Sequence, residues 1–312
     1  MVQIITLTLS PAIDVHCDCP GFAPYHESIA HVTSRDAGGK GINISGALTK
    51  NGIQNLAIVA LGSESAADFE AQLKAHGIPY APLYRPGRIR ENITVHTPQK
   101  PETRISFSGF SADVALLCEV EALLDRLTGG IEETIVTFTG RVPNGIPMAD
   151  VKAFLLRLRE RGIRLVIDSK SFSYEDLLEL RPWLIKPNEE EILEYAAKDT
   201  SEQALLSTAT EFRRFGIENA MISLGARGAL LACAEGVLLA NAPSIEPVST
   251  IGAGDSSIAG FLAAYSEGLD ASACLARAVA YGSAACLTAG TTPPSPEEIG
   301  PLLSKIHVKK KP

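Results

Sequence analysis

Short apolar runs bounded by turn residues alternate along this chain with longer stretches in which apolar residues recur every three to four positions. Residues 2–9, 56–61, 134–139, 164–167 and 220–224 have the length and apolarity of buried strands. Between them, residues 41–50, 66–76, 114–127, 148–161 and 202–215 carry the period of amphipathic helices. Strands and helices alternating in this way predict an α/β fold, a parallel sheet covered by helices on both faces. Sheets of that kind bind ligands beyond the carboxyl ends of their strands.

Residues 26–35 and 88–107 break the alternation, being β-prone and interrupted by Gly, Pro and polar residues. Residues 90–96 and 104–107 are predicted to pair as a hairpin across a turn at 97–103. A small β element inserted in an α/β domain often forms a lid or a dimer contact. No internal repeat or low-complexity linker divides the chain. It therefore reads as one domain over 1–312, with a β lid formed from about 12–35 and 86–110. Residues 256–267 and 271–288 are Ala-rich helical patterns, whose small side chains suit close packing on each other or on a flat ligand such as a purine.

Composition excludes several classes of function. With 46% hydrophobic and 21% charged residues the chain is globular, and a formal net charge of −8 argues against a nucleic-acid binder. No uninterrupted apolar stretch reaches membrane-spanning length, and the start MVQIITLTLSPAID lacks a basic region before its apolar run, so neither a membrane span nor a signal peptide is expected. Six scattered cysteines fit reduced, mostly buried thiols in a cytoplasmic protein. His16, Cys17 and Cys19 lie close together, yet no second Cys/His pair with zinc spacing follows. The tail at 309–311 reads as a solvated end.

Four glycine- or charge-rich segments carry the chemistry. In Thr250-Ile251-Gly252-Ala253-Gly254-Asp255, the glycines allow a tight turn that aims successive N–H groups at one point. A helix starting near Asp255 would face its positive end there, giving an anion hole for a transferring phosphoryl group. The Asp255 carboxylate could orient a hydroxyl and accept its proton; the alternative is that it merely caps the helix. Ala37-Gly38-Gly39-Lys40-Gly41-Ile42-Asn43 is a second glycine-rich turn into a helix. It is not a Walker loop, because Gly41 follows Lys40, and Asn43 suits sugar hydroxyls. In Lys186-Pro187-Asn188-Glu189-Glu190-Glu191, Asn188 and Glu191 have capping-box spacing, or stand near Mg²⁺ or its waters with Lys186 on a phosphate. Ser223-Leu224-Gly225-Ala226-Arg227-Gly228 ends a strand, as a plain hairpin or as backbone contact with a nucleotide.

In this order the segments resemble the ribokinase-like (PfkB-type) carbohydrate kinases, and within them the 1-phosphofructokinase / tagatose-6-phosphate kinase branch. The resemblance spans TLSPAID, AGGKGIN, TGRVPNG, PWLIKPNEEE, ISLGARG and STIGAGDSSIAGF. It implies a doubly wound α/β domain whose β lid clasps a second copy into a homodimer. It implies ATP and Mg²⁺, with Asp255 as catalytic base and Gly252, Ala253 and Gly254 as the anion hole. Asp14, Gly38, Gly39, Lys40, Asn43 and Arg90 match positions that hold the sugar phosphate. Lys186, Asn188, Ser223, Gly225, Gly228 and Thr250 match nucleotide contacts, and Asn188 and Glu191 the region of a water-held Mg²⁺. The implied reaction converts fructose 1-phosphate to fructose 1,6-bisphosphate. Tagatose 6-phosphate or fructose 6-phosphate, phosphorylated at the 1-hydroxyl, is the alternative. A non-catalytic sugar-phosphate sensor is expected to lose the base or the anion hole, and here both are intact.

The chain departs from the branch at Ser10, where Asn is usual, and at Gly46 and Ile29, where basic residues occur. It also departs at Arg141, in place of a small residue, and at Arg104, where acidic residues are frequent. Arg104 or Arg141 is expected to supply the charge missing at 29 and 46.

Overall fold

A computed structural model describes residues 2–23, 25–98, 100–129, 133–195, 199–288 and 290–311, with the backbone alone at 100–102. The first half comprises β1 (Val2–Thr8), β2 (Ala12–Asp18), β3 (His31–Gly38), α1 (Lys40–Lys50), β4 (Leu56–Gly62), α2 (Ala66–Ala75), β5 (Tyr80–Arg85), β6 (Arg90–Thr97), β7 (Lys100–Ser106) and α3 (Ala115–Thr128). Next come β8 (Glu133–Thr139), α4 (Met148–Glu160), β9 (Arg164–Asp168), α5 (Tyr174–Leu180), β10 (Leu184–Ile185), α6 (Glu189–Tyr195), α7 (Glu202–Arg214) and β11 (Asn219–Ser223). The last part holds β12 (Ala229–Cys233), β13 (Gly236–Ala240), α8 (Ala253–Ser266), α9 (Ala271–Ala285), α10 (Pro296–Leu303) and β14 (Val308–Lys311).

Ten strands form one sheet in the order β14-β13-β12-β11-β10-β9-β8-β1-β4-β5. From β5 to β11 neighbours run parallel; β12, β13 and β14 add on antiparallel. Side chains of a strand alternate between faces, so a central strand covered on both sides must be apolar throughout. β1 shows this: Ile5 and Leu7 enter the core under α3, α4 and α7, while Ile4 enters the core under α1, α8 and α9. α8 and α9 pack on each other, and a Cβ at Gly260 would lie 2.8 Å from Cγ of Tyr281, so no larger residue fits that crossing. No described helix is long and apolar enough to cross a membrane.

A second sheet has the order β3-β2-β6-β7, with β2 and β6 parallel and the outer pairs antiparallel. Ile13 and Val15 of β2 anchor it on Ile42 of α1 and on Phe69 and Leu73 of α2. Cys17 and Cys19 are buried with Val95 inside it, and His16 stacks on His96 with ring centroids 5.3 Å apart.

Three expectations are corrected. The hairpin of β6 and β7 has Asn92 opposite Ser106 and Thr97 opposite Lys100, so its ladder consumes most of the turn expected at 97–103; Gln99 lies outside the described residues. β7 is an edge strand, where Pro101 is tolerated. Residues 309–311 are no free end: β14 extends the large sheet, with Lys310 opposite Leu238. And α8 begins at Ala253, two residues before Asp255.

Candidate active site

The earlier start of α8 follows from Gly252, whose φ of 78° lies in the left-handed region and makes it the N-cap. Ala253, Gly254 and Asp255 are thus the first helical residues, whose N–H groups have no intrahelical acceptor, although Ala253 N leans on the Thr250 carbonyl at 3.4 Å. Asp255 is therefore not the cap. Its Oδ2 accepts a hydrogen bond from Asn43 Nδ2 of α1 at 2.8 Å, across 212 residues of sequence. Burial pushes the Asp255 carboxyl up to about 6, with Lys40 pulling it down, Asp168 pushing it up, and Asn43 and Lys186 pulling it down. A carboxyl with that affinity is ionised at neutral pH and accepts a proton more readily than an exposed one.

Two ammonium groups flank it. Lys40 Nζ of α1 lies 2.9 Å from Asp168 Oδ2, and Lys186 Nζ, just after β10, lies 3.9 Å from Asp168 Oδ1. Burial pushes Asp168 up, but the charges of Lys186 and Lys40 outweigh it and hold its carboxyl below the ordinary value. Burial likewise pulls Lys40 down, and the charges of Asp168 and Asp255 more than offset this. A Cβ at position 254 would sit 3.0 Å from Lys186 Nζ, so glycine there lets the lysine reach the start of α8.

A second cluster builds the floor of the small sheet. Asp14 Oδ1 accepts from Asn92 Nδ2 at 2.7 Å and from Arg104 Nη2 at 2.8 Å. Gly38 leaves room for the Asp14 carboxylate, which a Cβ there would strike. Gly39 has φ 135° and a Cβ position 2.7 Å from Thr8 Cγ2. Arg90 donates through Nη1 to Asn92 Oδ1 at 3.0 Å and through Nε to the Ser10 carbonyl at 3.3 Å. Burial lowers the Arg90 pKa, and the charges of Arg141 and Arg104 lower it further against Asp14, so three guanidinium groups share one field. Arg90 and Arg141 line a recess of about 110 Å³ with Ser10, Ser106 and Asn144. A larger cavity of about 600 Å³ lies between the small sheet and the loops at 248–251 and 290–293, with Asn43, His16, Ser249 and Ile251 on its wall.

The third group sits at the neighbouring strand ends. Asn188 N donates to Glu191 Oε2 at 3.0 Å and Glu191 N to Asn188 Oδ1 at 2.8 Å, so the capping-box spacing is a capping box. It leaves Glu191 Oε1 outside the reciprocal pair. Ser223 N bonds the Pro187 carbonyl at 3.0 Å, tying the segment at 223–228 to the one at 186–191. Gly225 is exposed with φ 55°, Gly228 is buried with φ 108°, and Thr250 is exposed.

The fold thus brings Asp255, Gly254, Asn43, Lys40 and Lys186 to one point and Asp14, Gly38 and Arg90 to another. Sequence reasoning missed Asp168 and Asn92. Asn92 is 2% exposed, and the alternation of Arg90, Asn92 and Thr94 on one face of a strand was a readable signal for it. Of the departures, Gly46 lines the larger cavity with Pro293 Cγ 3.2 Å from its Cβ position, so a side chain there would need the proline to give by a few tenths of an ångström. Ile29 is 76% exposed.

The family model for pfkB family carbohydrate kinases matches residues 6–298. This chain belongs to that family. As a pfkB-family kinase it is a phosphotransferase with an alcohol group as acceptor. It is 28% identical to a 1-phosphofructokinase of Haemophilus influenzae over 311 residues, 99% of this chain and 98% of the relative. It is 31% identical to the 1-phosphofructokinase of Escherichia coli K12 over 262 residues, 83% of each chain. Among solved structures, phosphofructokinase-2 of Escherichia coli superposes with a TM-score of 0.88 at 25% identity, covering 98% of this chain and 99% of that one.

Proposed function

We propose that this kinase transfers the γ-phosphoryl group of ATP to a ketohexose phosphate, with fructose 1-phosphate accepting at its 6-hydroxyl. The observation that carries the reading is the pair of charge clusters joined through α1 and the small sheet. Arg90 and Arg141 line a cationic recess fit for a phosphate the substrate already bears, with the charge of Arg104 in the same field, and Asp255 is placed to accept a proton beside an anion cradle. Relatives named 1-phosphofructokinase at 27–31% identity support the choice of acceptor.

In this reading Arg90 holds the acceptor's phosphate, with Arg104 and Arg141 supplying the charge absent at 29 and 46. Asp14 and Asn43 accept and donate to sugar hydroxyls, and Gly38 and Gly39 let the sugar approach the backbone. Asp255 takes the hydroxyl proton, while Gly252, Ala253 and Gly254 hold the transferring group with Lys40 beside it. Lys186, Asn188, Ser223, Gly225, Gly228 and Thr250 receive the nucleotide. The residues fit Mg²⁺ as an ion that keeps most of its waters: Glu191 has one carboxylate oxygen beyond the capping box and nucleotide phosphates supply the rest. When bound, Mg²⁺ neutralises charge on those phosphates. The small sheet acts as a lid over the acceptor and, through exposed Ile29, Val32, Ile105 and Phe107, as the contact with a second copy.

The test is ATP consumption with Mg²⁺ against fructose 1-phosphate, tagatose 6-phosphate, fructose 6-phosphate, fructose and ribose. The highest kcat/KM is expected for fructose 1-phosphate. A preference for a 6-phosphate would reverse the sugar in the cleft, and equal rates with free fructose would refute the role of the arginines.

A further inference from the structure

We propose that Asp168 is a positioning residue for phosphoryl transfer, its single buried carboxylate holding the ammonium groups of Lys40 and Lys186 on either side of the path of the transferred group. The proposal rests on the kinase reading above. Asp168 ends β9, and its backbone is fixed by the sheet: Thr139 pairs with it, and Gly140 N donates to its carbonyl at 3.1 Å. The two lysines come from separate elements, the start of α1 and the segment after β10. Each carboxylate oxygen faces a different lysine, at 2.9 Å for Lys40 and 3.9 Å for Lys186, and Lys40 also reaches the Asp168 carbonyl at 3.4 Å. A lysine is a point charge on a flexible stem and needs an anchor to meet a phosphate at a fixed place. Stability alone does not call for this anchor at Lys40, whose side chain is 36% exposed and can be solvated, whereas the Asp168 side chain is 4% exposed. Burying a carboxylate against a partner that water could satisfy is costly, and one fixed carboxylate that reaches both the partly exposed Lys40 and the buried Lys186 is what positioning requires.

Asp168 further acts on Asp255 with a definite sign. Asp168 pushes the Asp255 carboxyl up, whereas Lys40 and Lys186 pull it down. Glu191 adds its charge on Lys40 from α6. Removing the Asp168 charge therefore lowers the pKa of Asp255.

The experiment is Asp168→Asn in the full chain, with kcat, both KM values and the pH profile of kcat/KM. The expected result is a loss of about 100-fold in kcat, the scale of misplaced catalytic groups, a small change in the KM of the sugar phosphate, and an acid limb displaced to lower pH. Adding Lys40→Met to Asp168→Asn is expected to cost little beyond the worse single variant, because the two act as one unit. Unchanged kcat, an unmoved acid limb, or multiplicative losses in the double variant would overturn the assignment. If Asp168→Asn does not fold, Lys40→Met alone decides: it must displace the acid limb upward and lower kcat, and an unaffected enzyme sinks the proposal. A wild-type protein that phosphorylates no sugar would overturn the kinase reading itself. Wild-type turnover with an unaffected Asp168→Asn overturns only the role of Asp168.

Discussion

Replacing Asp255 by Asn should make the protein at once less active and more stable. The Asp255 carboxyl stands at about 6 against an ordinary 3.8, and burial is the main cause. A folded-state pKa above the unfolded value means that the native state holds the proton more tightly, so ionising Asp255 costs stability. The protonated form's contribution is fully present below about pH 4 and is lost as pH rises through about 6. A gap of about two pH units at 1.36 kcal/mol each gives a cost of about 3 kcal/mol at neutral pH. Asn is isosteric and stays neutral, and its oxygen can still accept the hydrogen bond from Asn43. Asp255→Asn is therefore expected to exceed the wild type by about 3 kcal/mol in urea unfolding at pH 8, with the difference vanishing near pH 4. Its kcat should fall by roughly 10²–10⁴-fold, the range for losing a general base. The wild-type kcat/KM should itself decline below about pH 6. Equal stabilities at pH 8 would refute the account of a strained buried carboxylate. Near-wild-type turnover would refute the proton-accepting role.

Three further outcomes follow from the geometry. Arg141→Ala is expected to raise the KM of the sugar phosphate about tenfold, the value of one charge-assisted contact of about 1.5 kcal/mol, with kcat nearly kept; steady-state kinetics against phosphorylated and free sugar check this, and no change in either Arg104→Ala or Arg141→Ala would remove both from phosphate recognition. Gly252→Ala places a Cβ at φ 78° and is expected to cost about 1–2 kcal/mol in chemical unfolding while lowering kcat, because the first turn of α8 must tilt. Phe107→Asp, at a side chain 51% exposed beside the small sheet, is expected to shift the protein toward monomer in sedimentation without destabilising the fold.

What the sequence disclosed and what it withheld divide along chain distance. The strands of the large sheet were legible because burial on both faces imposes continuous apolarity over a few adjacent residues, as in β1 and β4. The glycine turns at 38–41 and 252–254 were legible because backbone geometry is a local demand. β14 was not, because three consecutive lysines read as solvated until β13 offers them a ladder. The start of α8 was misjudged for a related reason: nothing in GAGD says which glycine takes the left-handed turn. The pairs that give the site its chemistry were the least legible. Asn43 meets Asp255 across 212 residues and Lys40 meets Asp168 across 128, and no local pattern encodes either encounter.

Asp168 shows why such residues escape notice. A lone Asp after three apolar residues is, locally, only the polar end of a strand. Its meaning arises when β9 takes its place between β8 and β10, which sets its carboxylate between a helix start and the exit of a strand that are far apart in sequence. The sheet order therefore does more than bury apolar area. It places one carboxylate between two cations, whose charges outweigh its burial, and buries a second in the first turn of α8, where burial and the charge of Asp168 outweigh the pull of the lysines, so the two carboxyls shift in opposite directions. In the proposed reading two acids of the same kind do different work: one is held as an anion that orders charge, and the other is kept ready to take a proton.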